Sequence, residues 1–97
     1  MPTYITLLRW TPQGIQHIKD SPARLDQAKE AIRAAGGELK AYYLTMGQYD
    51  GIAISEAPSD EAYARTLLGI ASAGAVRTET LRAFGEEDYR RIIAALP

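Results

Sequence analysis

The sequence contains no cysteine and no asparagine, and only one histidine, one tryptophan and one phenylalanine. Without cysteine there are no disulfides, iron–sulfur clusters, thiolate zinc sites or cysteine nucleophiles. A metal site built on the single His17 would have to recruit carboxylates from unrelated elements. There is also no Walker loop, and Gly36-Gly37 follows a helical pattern where a dinucleotide fingerprint would follow a strand. The composition therefore predicts neither a metal nor a cofactor.

The sequence also lacks a net excess of positive or negative charge, because its 11 Lys and Arg nearly balance its 12 Asp and Glu. Without surplus positive charge to condense on phosphates, we expect no nucleic acid partner. No apolar run approaches the ~20 residues of a membrane span, and the N-terminus has no signal-peptide pattern. These absences predict a cytoplasmic protein without a membrane partner.

The length of 97 residues predicts a single domain, residues 1–97. A lone monomer of this size would bury roughly 64% of the surface of its extended chain, which is a modest core. Association of several copies would increase the apolar surface that is buried.

Alternation and helical periodicity predict the element order β-α-β-β-α-β-α. This is the ferredoxin-like βαββαβ arrangement of the α+β class, an antiparallel sheet with two helices on one face, followed by an extra C-terminal helix. Gly47-Gln48 is predicted as a two-residue type II′ hairpin link, and Ser21 and Ser59 as helix N-caps. The predicted strands are Thr3–Trp10, Glu38–Met46, Tyr49–Glu56 and Ala75–Phe84, and the helices are Gln13–Ala35 with a break at Ser21-Pro22, a segment from Ser59 to about Ser72, and Glu86–Leu96.

The strands are apolar on both faces. In the predicted hairpin, Tyr43 lies opposite Ile52 on one face and Tyr42 opposite Ala53 on the other. Two helices cover only one face, so we expect a homodimer or higher homo-oligomer, most simply a two-fold pair that closes two sheets into a dimeric α+β barrel with an internal cavity. The alternative is a monomer, because isolated aromatic side chains on a wet sheet are common.

A set of short motifs spread over nearly the whole chain points to a family. They are Tyr4-Ile5-Thr6-Leu7, Gly14, Ile18-Lys19-Asp20-Ser21-Pro22, Gly47-Gln48-Tyr49-Asp50, Glu56-Ala57-Pro58, Val76-Arg77-Thr78 and Thr80-Leu81-Arg82-Ala83-Phe84. On these residues the sequence resembles the GYD family of small, mostly bacterial proteins. The resemblance implies a ferredoxin-like fold of the dimeric α+β barrel type, but no assigned activity. The family is not expected to require a histidine at position 17.

The Gly-x-Tyr-Asp segment has a structural and a functional interpretation. Structurally, Gly47 supplies a positive φ, Tyr49 packs across from Met46, and Asp50 bonds turn amides. Functionally, the hairpin tip lies at the cavity rim, where the Tyr49 hydroxyl and the Asp50 carboxylate orient a polar ligand. The two interpretations are compatible.

Four more residues complete the candidate ligand site. Arg77 either pairs with Glu79 on the surface or holds a carboxylate or phenolate of a ligand, with Arg82 on the other face as second candidate. His17 is either a solvated side chain or an acid–base group. Trp10 and Tyr42 either pack in the core or interface or stack on a planar ligand.

The leading hypothesis is a binding protein for a small amphipathic or aromatic molecule held in the cavity between two sheets. The first alternative is a cofactor-independent enzyme, similar to barrel-type monooxygenases or isomerases, with His17 or Asp50 as the base. The second is a non-catalytic assembly module whose sheets pack dry. No residue is predicted to be catalytic on spacing alone.

Overall fold

A computed structural model describes all 97 residues, Met1–Pro97. Its elements follow the predicted order, and none of its helices has the length and apolar character needed to cross a membrane. In chain order they are β1 (Thr3–Trp10), α1 (Pro12–Gln16), a 3-10 turn (Ile18–Asp20), α2 (Ser21–Ala34), β2 (Glu38–Leu44), β3 (Gly51–Glu56), α3 (Asp60–Ala71), β4 (Val76–Ala83) and α4 (Glu86–Ala94).

The strands form one antiparallel sheet in the order β2-β3-β1-β4, which confirms the ferredoxin-like α+β fold. The predicted register of the hairpin is also confirmed, since Tyr42 pairs with Ala53 and Tyr43 with Ile52. At Lys40 the pairing shifts by one residue, which leaves this lysine as a bulge on the edge strand β2. The Lys40 ammonium lies between the carboxylates of Glu38 and Glu56, at 3.5 and 3.9 Å.

The prediction of a two-residue hairpin link is wrong. β2 ends at Leu44 and β3 begins at Gly51, so residues 45–50 form the connection, with Gly47 at a φ of 119° as predicted. Met46 is 98% exposed and does not pack against Tyr49. The link is longer because Tyr49 and Asp50 bond to groups of the neighbouring strands β1 and β4 in place of the β2–β3 ladder.

The helix caps agree in part with the sequence. Ser59 caps α3 as predicted, because its hydroxyl accepts a hydrogen bond from the Ala62 amide at 3.1 Å. Ser21 is not a cap: it is the first residue of α2, and Asp20 takes the N-cap position without a side-chain bond. α2 ends where Gly36 adopts a φ of 87°, as the Gly36-Gly37 pair predicts.

The buried core lies at one end of the sheet, where β1 begins and β3 ends. Tyr4 of β1 stacks on Tyr63 of α3 with ring centroids 4.4 Å apart. The Tyr63 hydroxyl lies 2.8 Å from the Thr6 hydroxyl, which in turn lies 3.0 Å from that of Thr80 on β4. Ile32 near the end of α2 and Ala57 just after β3 join Tyr4 and Tyr63 in one buried cluster. The helices are therefore fixed to the sheet where α2 ends and α3 begins.

α4 lies outside this core. It does not pack closely against the sheet or the other helices, and Tyr89, Ile92 and Ile93 on it are about half exposed. The molecule measures 52 Å in its longest direction and 18 Å in its shortest.

The core predicts a pH-dependent stability. Burial raises the pKa of Tyr4 to about 12, and its 2.6 Å hydrogen bond to Asp60 contributes to this shift. Because the folded pKa lies above the ordinary value of 10.0, the stabilisation by Tyr4 is complete below pH 10 and is lost as the pH rises to about 12.

We therefore expect Tyr4→Phe to lower the free energy of unfolding by about 1 kcal/mol at neutral pH, and this difference to shrink between pH 10 and 12. Urea unfolding across this pH range measures it, with Tyr89→Phe on the exposed helix as control. A difference that stays constant up to pH 12 would contradict the assignment.

Candidate functional site

A groove of about 730 Å³ opens between α2 and α3 on the helix side of the sheet. Its floor consists of sheet side chains, chiefly Leu8, Trp10 and Tyr42. Leu25 of α2 and Ile70 of α3 form parts of its two walls. The groove lies at the end of the sheet opposite the core, beside the start of α2 and the end of α3. The volume is within the range of sites that take a small ligand or an apolar segment of chain.

Gly51 determines the position of Tyr42 on the groove floor. A Cβ added at Gly51 would lie 2.7 Å from the Tyr42 hydroxyl and 3.3 Å from a Leu8 carbon, so the absent side chain leaves the space that the Tyr42 ring occupies. Burial raises the pKa of the Tyr42 hydroxyl, and the nearby Asp50 carboxylate raises it further. Tyr42 is therefore a neutral, half-buried hydroxyl at neutral pH.

Asp50 joins the hairpin loop to the end of β1. Its carboxylate accepts a hydrogen bond from the Trp10 amide at 2.9 Å, and its own amide donates to the Leu8 carbonyl, also at 2.9 Å. The predicted bonding of Asp50 to backbone amides is thus found, but the amide belongs to β1 and not to the turn. The carboxylate holds the backbone that carries Trp10.

A second candidate surface is the face of the sheet without helices, called the open face below. Side chains paired across the strands give it an apolar centre: Ile5, Leu7, Ala41, Tyr43, Ile52, Ile54 and Leu81. Tyr43 is 59% exposed and Leu81 is 49% exposed. The expectation that the second face is apolar is met, although its aromatic residue in β2 is Tyr43 and not Tyr42.

One end of the open face is polar. The Tyr49 hydroxyl donates to a Glu79 carboxylate oxygen at 2.9 Å, and the Arg9 guanidinium lies over the Tyr49 ring, 4.6 Å from its centroid. This hydrogen bond raises the pKa of Tyr49. Arg77 lies opposite Arg9 in the β1–β4 ladder and forms no ion pair, since Glu79 is engaged by Tyr49. Arg77 therefore leaves a guanidinium free at this end of the open face.

His17 lies apart from both surfaces. It is the exposed C-cap residue of α1 and lines a shallow depression with Gln13, Asp20 and Arg24. Its backbone carbonyl accepts a hydrogen bond from Arg24 at 3.0 Å, and its ring has no hydrogen-bond partner. No group of three or more His, Asp or Glu side chains is placed to share a metal ion.

The structure divides the six residues predicted as one ligand site. Trp10 and Tyr42 meet in the groove, with Asp50 behind them. Tyr49 and Arg77 lie at the polar end of the open face, and His17 belongs to neither surface. Sequence reasoning missed Arg9 and Glu79 as partners of Tyr49, because these contacts depend on the path of a loop that carries no periodic signal.

Comparison with known proteins identifies relatives of the whole chain. The GYD domain model matches residues 4–93. A Thermus thermophilus protein named "glutamine synthetase and cystathionine beta-lyase binding protein" is 34% identical over 91% of this chain and 94% of its own length. A crystal structure of a Thermus thermophilus protein is 29% identical, with a TM-score of 0.55, over 88% of this chain and 95% of that one.

More distant structures share the fold alone. A feast or famine regulatory protein of Mycobacterium tuberculosis, solved with L-methionine, has a TM-score of 0.67 at 18% identity over 88% of this chain. The chain spans 51% of the length of that regulatory protein, about half.

The Asp50 contact predicts a measurable loss of stability. We expect Asp50→Ala to lower the free energy of unfolding by about 2 kcal/mol, because it leaves the half-buried Trp10 amide without its charged acceptor. Asp50→Asn retains an oxygen acceptor and should lose less. Urea unfolding followed by the fluorescence of Trp10 measures both. If both variants stay within about 0.5 kcal/mol of the parent, the contact does not hold the loop.

Proposed function

This chain belongs to the GYD domain family, and we propose that it is a homo-oligomeric binding protein in which two copies join their open faces into an α+β barrel. The observation that carries the proposal is the open face itself. Its centre is apolar on all four strands, yet no element of the same chain covers it.

Association through this face has a direct energetic reason. Each Å² of apolar surface removed from water contributes roughly 25 cal/mol, and stable interfaces bury about 800 Å² on each partner. Tyr43 and Leu81 protrude from the face and are the side chains with most area left to bury. Two-fold pairing of one face with its copy requires no second kind of surface.

The cavity between two such faces suits a small amphipathic or aromatic molecule. Its centre is aliphatic, while Arg77 and the Tyr49–Glu79 pair lie at one end. A guanidinium without an acid partner favours a carboxylate or phenolate, to which it donates two parallel hydrogen bonds. We propose Arg77 and Tyr49 as ligand contacts in this cavity. Trp10 and Tyr42 lie in the groove on the other side of the sheet and therefore do not contact a ligand in this cavity.

The geometry favours binding over turnover. The two candidate bases are 33 positions apart in the sequence and lie on different surfaces: His17 is exposed without a partner, and the Asp50 carboxylate is held by the Trp10 amide. Neither is aimed at the free guanidinium of Arg77. A base and an anion-stabilising group that act on one substrate need to lie within reach of it together.

Recognition of an enzyme is a second candidate function. It is favoured by the identity of 34% to a protein named for binding glutamine synthetase and cystathionine beta-lyase. That likeness covers nearly the full length of both chains, which supports a shared mode of binding.

We expect the double variant Tyr43→Asp/Leu81→Asp to separate the open faces, because each copy would bury charges there. The parent should sediment at twice the 10.6 kDa chain mass or more. The variant should have a lower assembly mass than the parent while keeping its circular dichroism. Leu68→Asp on the outside of α3, where Leu68 is 72% exposed, is the matched control. A parent of 10.6 kDa at micromolar concentration would overturn the barrel.

We expect phenylacetate, a small aromatic carboxylate, to bind the parent in calorimetric titrations, and Arg77→Ala to weaken binding about ten-fold or more. Arg82→Ala on the helix side should leave the affinity unchanged. A parent that binds none of a panel of aromatic acids contradicts the ligand proposal. If that parent nevertheless retains purified glutamine synthetase, enzyme recognition is the better description of the function.

A further inference from the structure

α4 is an amphipathic helix whose apolar side has no cover within its own chain. Tyr89, Ile92 and Ile93 lie on one side of it, and each is about half exposed. Leu96, just beyond its end, is also exposed. Nine-residue helices are marginal in water by themselves, so packing of the apolar side is needed to hold the helix.

The groove between α2 and α3 has the complementary property. Its floor and walls are mostly apolar and are open to solvent. Arg24 of α2 lies on one wall and Arg65 of α3 on the other. At about 3.6 residues per turn, Glu86 and Asp88 flank the apolar side of α4, one on each side. Both carboxylates pair with arginines of α4 itself, and Arg65 pairs with a glutamate of α3. Exposed pairs of this kind are weak, so they can be exchanged for pairs between a helix seated in the groove and the arginine on each wall.

α4 does not fill the groove of its own chain. None of its residues lines the groove, and it packs closely against neither α2 nor α3. It follows the end of β4 where Ala83 pairs with Thr3, whereas Val76 at the groove floor pairs with Trp10 at the far end of the strand. α3 packs on β4 and lies between α4 and the groove.

We propose that α4 of one copy docks in the α2–α3 groove of a second copy, with its apolar side against Leu8, Trp10 and Tyr42. This contact uses the side of the sheet opposite to the open face, so it is independent of the barrel proposed above. It adds a second, helix-in-groove interface between copies of the chain.

The single tryptophan reports on the groove directly. In the full chain, Ile92→Asp places a charge on the apolar side of α4, while Ala94→Asp places the same charge on the opposite side of the same helix. We expect Ile92→Asp to shift Trp10 emission to longer wavelength, to increase its quenching by acrylamide and to lower the mass of the assembly. Ala94→Asp should resemble the parent.

Two further measurements separate this contact from its alternatives. Dilution of the parent should red-shift Trp10, because docking between copies depends on concentration. The reversal Arg24→Glu/Arg65→Glu should mimic Ile92→Asp, and adding Glu86→Arg/Asp88→Arg should restore the emission and mass of the parent. A merely structural role of these arginines would not be rescued in this way.

The proposal is overturned if Ile92→Asp and Ala94→Asp give the same emission, quenching and mass. It is also overturned if the fluorescent dye ANS binds the groove of the parent as strongly as that of Ile92→Asp, since the groove would then be an open ligand site. The open-face variant Tyr43→Asp/Leu81→Asp should retain the parent's Trp10 response to concentration. A failure of the barrel proposal can therefore be told apart from a failure of the α4 proposal.

Discussion

The stack of Tyr4 on Tyr63 is the contact on which the layout of the molecule depends. It fixes the start of α3 to the first strand, and the hydroxyl chain through Thr6 and Thr80 extends the attachment to β4. Ile32 brings the end of α2 to the same place. Both helices are thus held at one end of the sheet, and the groove lies between them at the other end.

Much of the fold follows from the sequence because alternation and helical periodicity are local. The pairing of Tyr42 with Ala53 needs only the two-residue period of the strands and a hairpin, although the predicted turn itself is wrong. The length of the loop depends on Tyr49 and Asp50 finding partners on β1 and β4. Such partners lie far away in the sequence, so no local pattern indicates them.

The candidate surfaces are harder to anticipate. Apolar residues on both faces of a strand do not indicate which face the helices cover. The sequence therefore does not show which of the neighbours Tyr42 and Tyr43 lies on the helix side. The groove is lined by two helices and the sheet, so it depends on how elements distant in the sequence pack together. The sequence groups Tyr49 and Arg77 with Trp10 because all are chemically suited to one ligand, whereas the sheet itself separates them.

The bulge at Lys40 has a consequence for the edge of the sheet. β2 is an edge strand, and an unbroken edge of this kind offers its free amides and carbonyls to any extended chain that comes near. The extra residue, Lys40, interrupts the regular spacing of backbone hydrogen-bonding groups along this edge. Its ammonium group also costs energy to dehydrate. The bulge therefore disfavours growth into fibrils at this edge of a protein that displays much apolar surface.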